Sequence, residues 1–520
     1  MASTTQRGIL GRLLLRKSVE QVQRETETSQ LKRTLGPWNL VFLGIGCIIG
    51  AGIFVRTGNA AALHAGPAVL LAFLVAGVVC ALAGLCYAEL SSTLPVSGSA
   101  YTYSYTTIGE FAAWVMGALL LLEYGLAASV VAVGWSGYVV SLLGDYGLRI
   151  PPELTGPMGH ALIRDGAPVL DAAGNPVTTI FNLPAFLVCA ALAILLVIGV
   201  SESAKVNNAI VAVKMTVIIA FILVCGWYAI DNYDVLKANW EPFVPPNEGE
   251  GRYGFDGIMR AASIVFFAYI GFEAVSTAGQ EAKNPKKDMP FGIIGSLLVC
   301  TILYILVSIV MTMVVNYKML NVPDPVAVAV DALGPSWAWF AKIIKIGAII
   351  GLTSVVLVLM YGQTRIFYTM ARDGLLPSVF AKVHPKFRTP WVNTMLVGLI
   401  TAVAAAFFDI NFLGDATSVG TLAAFAIVCI AVIWLRRTHP NLPRGFKVPL
   451  FPVLPILGVA SCVYLISSVE MKVLVFFGWY VLGAIVLYFV YGMHNSRLAK
   501  GQEQLDVPEM PEFPEDAPGR

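Results

Sequence analysis

The stretch Gly44-Ile45-Gly46-Cys47-Ile48-Ile49-Gly50-Ala51-Gly52-Ile53-Phe54 decides how this chain must be read. It sits inside an apolar block, yet it holds four glycines, which are poor helix formers. Their spacing is GxG followed by xxxG, with no strand before it, so the dinucleotide-binding fingerprint is missed. Two readings stand. The block is either a membrane helix that unwinds halfway, or a helix packed closely through Gly46-x-x-x-Gly50.

Everything around this stretch places it in lipid. Of 520 residues, 57% are hydrophobic and 13% charged, and the mean hydropathy is +0.75. A soluble fold of this size needs more charge on its surface, and a disordered chain carries far less apolar content. The apolar residues come in blocks about one bilayer long. About twelve segments can span as helices, roughly 38–57, 67–94, 110–143, 184–200, 206–229, 254–278, 290–317, 336–365, 390–409, 413–435, 449–467 and 473–492. Porin-like alternation is absent. The fold class is therefore an all-α integral membrane protein.

Other bulk properties exclude functions. Thirty-four Lys and Arg against 32 Asp and Glu leave a charge of +2, too balanced for a nucleic-acid binder. The eight cysteines (Cys47, Cys80, Cys86, Cys189, Cys225, Cys300, Cys429 and Cys462) all fall in apolar blocks without a CxxC pair. They read as small buried hydrophobes. The five histidines lie far apart, so no metal, haem or iron–sulfur centre has a ligand cluster, and no cofactor is expected. Partners are expected to be membrane lipids and a small substrate; a small membrane subunit or a homo-oligomer stays open.

The N-terminal segment carries Arg7, Arg12, Arg16, Lys17, Arg24, Lys32 and Arg33 and no signal-peptide apolar core. Placing it in the cytoplasm also places there Lys205, Lys283, Lys286, Lys287, Arg372, Lys382, Lys386, Arg388, Arg436, Arg437, Arg444 and Lys447, while loop 230–252 on the other side is acidic. This bias predicts both termini inside. Residues 9–24 suit either a helix lying on the inner leaflet or a plain topology signal. The proline- and acid-rich tail from Gly501 reads as disordered.

A second interruption matches the first. Phe266-Phe267-Ala268-Tyr269-Ile270-Gly271-Phe272-Glu273 puts a glycine and a charge at mid-membrane, in the first helix of a second set of five. Paired breaks in corresponding helices are the best sequence pointer to a transporter site. Freed amides suit a carboxylate and freed carbonyls suit an ammonium, the two main-chain ends of an amino acid. Glu123, Lys214 and Glu273 are ionisable residues deep in apolar blocks, where charge is costly and functional by default. Snorkelling is the plain alternative for Lys214, and a structural Glu123–Lys214 pair is the plain alternative for Glu123. Glu273 reads as packing or gating, Glu89 as structural, and Arg260 as a residue snorkelling at the outer boundary.

These features resemble the amino acid–polyamine–organocation (APC) superfamily, and within it bacterial members of the cationic amino acid transporter family. The resemblance rests on Gly44-Ile-Gly46 through Gly52-Ile-Phe54, Cys86-Tyr-Ala-Glu89, Pro95-Val-Ser-Gly-Ser-Ala-Tyr-Thr-Tyr103 and Phe266 to Glu273. It continues through Glu281-Ala-Lys-Asn-Pro285, Gly362-Gln-Thr-Arg365 and Arg372-Asp-Gly-Leu-Leu-Pro377. It implies the leucine-transporter fold, in which the substrate site is built at broken helices: a 5+5 inverted repeat (35–230 and 231–435) and two peripheral helices (436–495), with 1–34 and 496–520 as cytoplasmic ends. It further implies that Ile48, Gly50, Ala51 and Gly52 hold the substrate carboxylate and part of its ammonium. Phe267, Ala268 and Ile270 then supply the remaining carbonyl contacts, with Phe267 gating the outer path. Lys214 matches a lysine that stands where relatives bind sodium, and Glu123 matches a nearby acid; both are expected to couple protons. Ala51 departs from members with a hydroxyl there.

The expected activity is thus import of L-amino acids across the cell (inner) membrane by proton symport. A sodium-independent exchanger or facilitator, a sodium-coupled symporter and a membrane amino acid sensor remain as rivals. An enzyme lacks a constellation: no HExxH, GxSxG or paired aspartates occur in the apolar segments. Small neutral substrates are expected first and cationic ones second, because a Glu123 engaged by Lys214 leaves no spare acid.

Overall fold

In lipid, a backbone amide or carbonyl without a partner costs several kcal/mol, so each apolar block must close its hydrogen bonds within itself. The computed structural model describes residues 9–19, 33–96, 98–161, 163–164, 167–168, 170, 174–199 and 204–501. Apart from one short antiparallel pair, Ile163–Arg164 with Ala167–Pro168, and a few isolated bridges, the regular structure of these residues is helical.

The principal helices are α1 (Pro37–Ile48), α2 (Val69–Thr93), α3 (Glu110–Asp145), α4 (Leu183–Ile198), α5 (Ala204–Asp231) and α6 (Gly254–Val265). They continue as α7 (Pro285–Val314), α8 (Ala338–Arg372), α9 (Trp391–Phe407), α10 (Ile410–Thr438), α11 (Val453–Ser467) and α12 (Met471–Leu487). Among the described residues, eight helical stretches are long and apolar enough to cross a membrane, and four shorter apolar helices accompany them. The chain is a multi-pass membrane protein.

Two helices are interrupted. α1 stops at Ile48, Ile49 is extended (φ −72°, ψ 97°), and helix resumes as a wide turn over Gly52–Arg56. α6 tightens after Val265 into the 3-10 turn Phe266–Tyr269, bends at Ile270 and Gly271, and resumes as Phe272–Gln280. Gly271 has φ +115°, a conformation that L side chains rarely adopt. A β-carbon there would also lie 2.8 Å from the carbonyl carbon and oxygen of Cys47. Gly52 answers from the other break, where a β-carbon would come within 2.1 Å of the Ala268 Cα. Close backbone packing thus occurs at Gly52 and Gly271, whereas Gly50, of the anticipated Gly46-x-x-x-Gly50 contact, meets only a valine side chain. The glycines break the helices, and Gly52 and Gly271 let the two breaks lie backbone against backbone.

Around this centre, α8 packs along α3, α7 along α1 and α2, and α10 along α3. Gly50 faces the Val355 side chain of α8. α11 and α12 lie at the periphery, and α12 exposes Trp479, Leu482 and Val486.

Two expectations change at the edges. α8 runs seven residues past its anticipated end at 365, so Arg372 closes a helix rather than standing in a loop. The N-terminal helix covers Ile9–Leu13, after which Leu15 to Ser18 carry no helix. Arg16 Nε donates to the Ile108 carbonyl (3.2 Å), and buried Lys17 pairs with Asp373 (2.8 Å). The segment is thus tied into the ends of the helices. Residues 20–24 of the anticipated interfacial helix and the tail after Gly501 lie outside the described residues.

Gly271→Ala should destabilise the protein by roughly 1–3 kcal/mol, because it adds an unfavourable φ and a backbone clash. Thermal unfolding in detergent should show a lowered Tm, while Gly478→Ala, on the exposed side of α12 with open space around it, should leave Tm unchanged.

Candidate functional site

The last carbonyls of a helix have no following amide to serve them, and a break inside the membrane strands such groups far from water. Here side chains from neighbouring helices reach them. Lys214 of α5 is 1% exposed, and its ammonium donates to the carbonyls of Gly46 (3.0 Å) and Ile49 (3.2 Å). Tyr304 of α7 is fully buried, and its hydroxyl lies 2.8 Å from the Ile48 carbonyl and 2.8 Å from the Ala268 carbonyl. One tyrosine therefore bridges the two interrupted helices.

The amide at the second break is served by an acid. Gly271 N–H donates to both carboxylate oxygens of Glu273, at 3.1 and 2.9 Å, and the Tyr124 hydroxyl donates to one of them at 3.3 Å. Glu273 thus caps the helix that restarts after Gly271, where an anion is favoured. This geometry accords with a packing role.

All seven residues anticipated to contact a substrate are buried: Ile48, Gly50, Ala51 and Gly52 in the first break, and Phe267, Ala268 and Ile270 in the second. The close approach of Gly52 to Ala268 brings the two groups together. Phe54 N–H donates to the Gly50 carbonyl (3.3 Å), which starts the resumed helix. The amides of its first turn lack an intrahelical acceptor and suit a carboxylate. The Phe267 carbonyl accepts the Ile270 amide at 3.3 Å. One of its two lone pairs remains for another donor.

The anticipated Glu123–Lys214 pair does not form. No ion pair joins them among the described residues, and neither Glu123 oxygen accepts a hydrogen bond. Glu123 faces Glu273 and Thr421 instead. The reason is placement: Lys214 approaches the first break, whereas Glu123 lies beside the restarted half of the second.

Arg260 also differs from expectation. It is 6% exposed and does not snorkel; with Arg56 it shares Asp415 of α10. The Arg56–Asp415 contact is 2.7 Å, and Arg56 also donates to Asn411 (2.9 Å). This triad joins the resumed part of the first broken helix to α6 and α10. At the other end of α10, Arg436 grips buried Glu89 through Nε (2.8 Å) and a second nitrogen, and the Val448 amide donates to the same carboxylate (2.7 Å). Glu89 is structural, as its position in α2 suggested.

Sequence reasoning missed Tyr304, Arg56 and Asp415. Tyr304 is one aromatic residue in a long apolar run and carries no local signal. Arg56 and Asp415 stood near segment ends, where charge is ordinary. No group of three or more His, Cys, Asp or Glu side chains that could hold a metal occurs among the described residues.

Residues 35–493 match the family profile described as amino acid permease. The chain is 45% identical over 489 residues to the methylthioribose transporter of Bacillus subtilis (strain 168), covering 94% of this chain and 99% of that one. It is 44% identical over 490 residues to the branched-chain amino acid permease BcaP of the same organism, with the same coverage. The cationic amino acid transporter 4, vacuolar, of Arabidopsis thaliana is 36% identical over 436 residues, 82% of this chain and 68% of that protein.

The two glycines of the first break should respond differently to a methyl group. Gly50→Ala meets only the Val355 side chain, at 3.1 Å, which can shift by a few tenths of an ångström. Gly52→Ala drives a β-carbon into the Ala268 backbone. Ligand-induced thermal shifts with neutral amino acids should survive in Gly50→Ala with at most about a tenfold loss of affinity, about 1.4 kcal/mol, and should vanish in Gly52→Ala. Equal affinities would show that the two breaks are not in contact when substrate binds.

Proposed function

The chain belongs to the amino acid permease family, and from that premise we propose that it is a secondary active transporter importing L-amino acids by proton symport. In this reading it has twelve spans in a 5+5 inverted repeat with α11 and α12 outside, and both termini are cytoplasmic. The substrate's carboxylate lies on the amides of Gly50, Ala51 and Gly52. Its ammonium lies among the carbonyls of Ile48, Phe267, Ala268 and Ile270, and Phe267 covers the outer path. Bacterial permease relatives support a place in the cell membrane.

One observation carries the reading: the Lys214 ammonium sits on the freed carbonyls of Gly46 and Ile49. A cation is thus already built into the first break, which disfavours sodium coupling. An ammonium can also lose its charge by giving up a proton, which a sodium ion cannot do. Release of that proton would remove the charge and one of the three N–H donors, weaken the tie between α5 and the break, and let the two part during the cycle.

Glu123 is the second coupling residue. Its oxygens accept no hydrogen bond of good geometry among the described residues and face the Glu273 carboxylate and the Thr421 hydroxyl. Two carboxylates at close range are held together by a proton between them, so a proton on Glu123 would bond it to Glu273. Loss of that proton would push α3 away from the restarted half of the second broken helix. Exchange without net proton flow is the second reading, since the same site serves both directions.

Neutral aliphatic amino acids come first as substrates, cationic ones second. Glu273 is engaged by the Gly271 amide and Tyr124, Asp415 by two arginines, and in this reading Glu123 shares a proton with Glu273, so none of the three is spare for a substrate cation. The relation to a branched-chain amino acid permease points the same way.

Uptake into liposomes tests these assignments. An inward proton gradient should stimulate wild-type uptake; Lys214→Ala should retain substrate binding but lose roughly tenfold of the gradient-driven rate, and Glu123→Gln should shift the pH dependence of uptake. Gradient-stimulated uptake by Lys214→Ala at the wild-type level would make the lysine a structural cation. Excess L-alanine or L-leucine should compete more strongly than L-arginine, and competition by arginine alone would reverse the substrate order.

A further inference from the structure

Four carbonyls at the two breaks lie within hydrogen-bond distance of two side-chain donors. Lys214 takes Gly46 and Ile49, and Tyr304 reaches Ile48 and Ala268. Both donors stand on helices other than the broken ones, α5 and α7. Lys214 brings three N–H groups, but a tyrosine hydroxyl has a single hydrogen. With two carbonyl oxygens each 2.8 Å away, Tyr304 can donate to only one at a time. The other is left for a further donor.

The tyrosine ring is packed on two sides. It is wedged against Phe73 and Tyr269, with centroids 5.5 Å apart in each case. Tyr269 is itself anchored through its hydroxyl on the Phe73 carbonyl at 2.9 Å. With both carbonyls in reach, rotation of the O–H bond alone swaps the hydrogen between the two breaks.

We propose that Tyr304 is a positioning residue that takes the place of the substrate's ammonium when the carrier returns without substrate, and so makes net transport possible. The inference rests on the reading that the ammonium uses the Ile48 and Ala268 carbonyls. On that reading, a loaded carrier closes because the ammonium and the Tyr304 hydroxyl together supply one donor to each of the two carbonyls. An unloaded carrier must bring the same two carbonyls together inside the membrane with no ammonium present. Without a donor, two buried acceptors face each other, and closure is opposed by the cost of leaving them unmet. The Tyr304 hydroxyl, within reach of both, donates to one of them and leaves one acceptor unmet instead of two, which lowers the cost of the unloaded change of sides. When substrate enters, an N–H takes one carbonyl and the hydroxyl turns to the other. A carrier lacking this hydroxyl would move mainly when loaded, and would behave as an exchanger.

The test uses the full chain in liposomes and whichever of radiolabelled L-alanine, L-leucine and L-isoleucine the wild type transports fastest. Net uptake into vesicles without internal amino acid requires the unloaded return; counterflow into vesicles preloaded with the same amino acid does not. Tyr304→Phe keeps the ring and removes the hydrogen. Counterflow should fall about threefold and net uptake about thirtyfold, so the ratio of the two changes about tenfold, equivalent to ~1.4 kcal/mol on the return step. A residue that merely fills space would lower both rates together, and equal losses in a folded variant overturn the inference. Unaltered net uptake overturns it as well. Should Tyr304→Phe not fold, the wild type decides: the inference expects counterflow no more than about threefold faster than net uptake, and a thirtyfold excess overturns it. A wild type that exchanges but shows no net uptake overturns the inference while leaving the amino acid site in place. A wild type that moves none of the three amino acids overturns the substrate reading itself.

Discussion

A carbonyl inside a membrane must find a donor, and water is not there to provide one. That constraint organises the centre of this protein. Interrupting α1 and α6 creates several unserved groups at one depth, and each needs a partner from another helix. α5 sends Lys214, α7 sends Tyr304, and Glu273 folds back on the Gly271 amide. The helices around the breaks are thereby held by hydrogen bonds to backbone as well as by packing. Moving any one of them relative to the breaks exposes a carbonyl or an amide. This is why a structure built around broken helices has discrete arrangements rather than continuous flexing: a group is either served or it is not.

Charge is treated the same way. A buried ion pair gains little over an apolar pair of equal size, but losing one partner leaves a bare charge at a cost of about 3–5 kcal/mol. Such pairs therefore act best as ties that hold only in one arrangement. Arg56 and Arg260 share Asp415, which links the resumed first helix, α6 and α10. Toward the other end of α10, Glu89 of α2 is held by Arg436 with the Val448 amide. Lys17 and Tyr101 meet on Asp373 just beyond α8, each at 2.8 Å. The breaks thus lie between ionic ties on either side. Separating the helices on one side requires breaking only the ties of that side, which suits a carrier that opens to one face at a time.

What the sequence determined by itself is the architecture in outline. Spans and breaks were legible because lipid reads the chain locally: about twenty apolar residues suffice for a span, and glycine weakens a helix wherever it stands. The block around Gly44 to Phe54 announced its interruption, and Phe266 to Glu273 repeated it. The depth of Lys214 and Glu123 in apolar runs marked both as unusual. The pairings were decided only in three dimensions. Lys214 meets Gly46 across 168 residues of chain, and Tyr304 meets Ile48 across 256. Nothing local distinguishes Tyr304 from other aromatic residues of apolar helices. Glu123 and Lys214 looked like partners because opposite charges in lipid should seek each other, yet the fold set Lys214 against one break and Glu123 beside the other. Arg260 looked like a boundary residue because its partner, Asp415, lies 155 residues away. A membrane fixes where helices run by the solvent preference of each residue in turn. Which side chain serves which stranded backbone group depends on how the helices assemble, and distance along the chain carries no record of that.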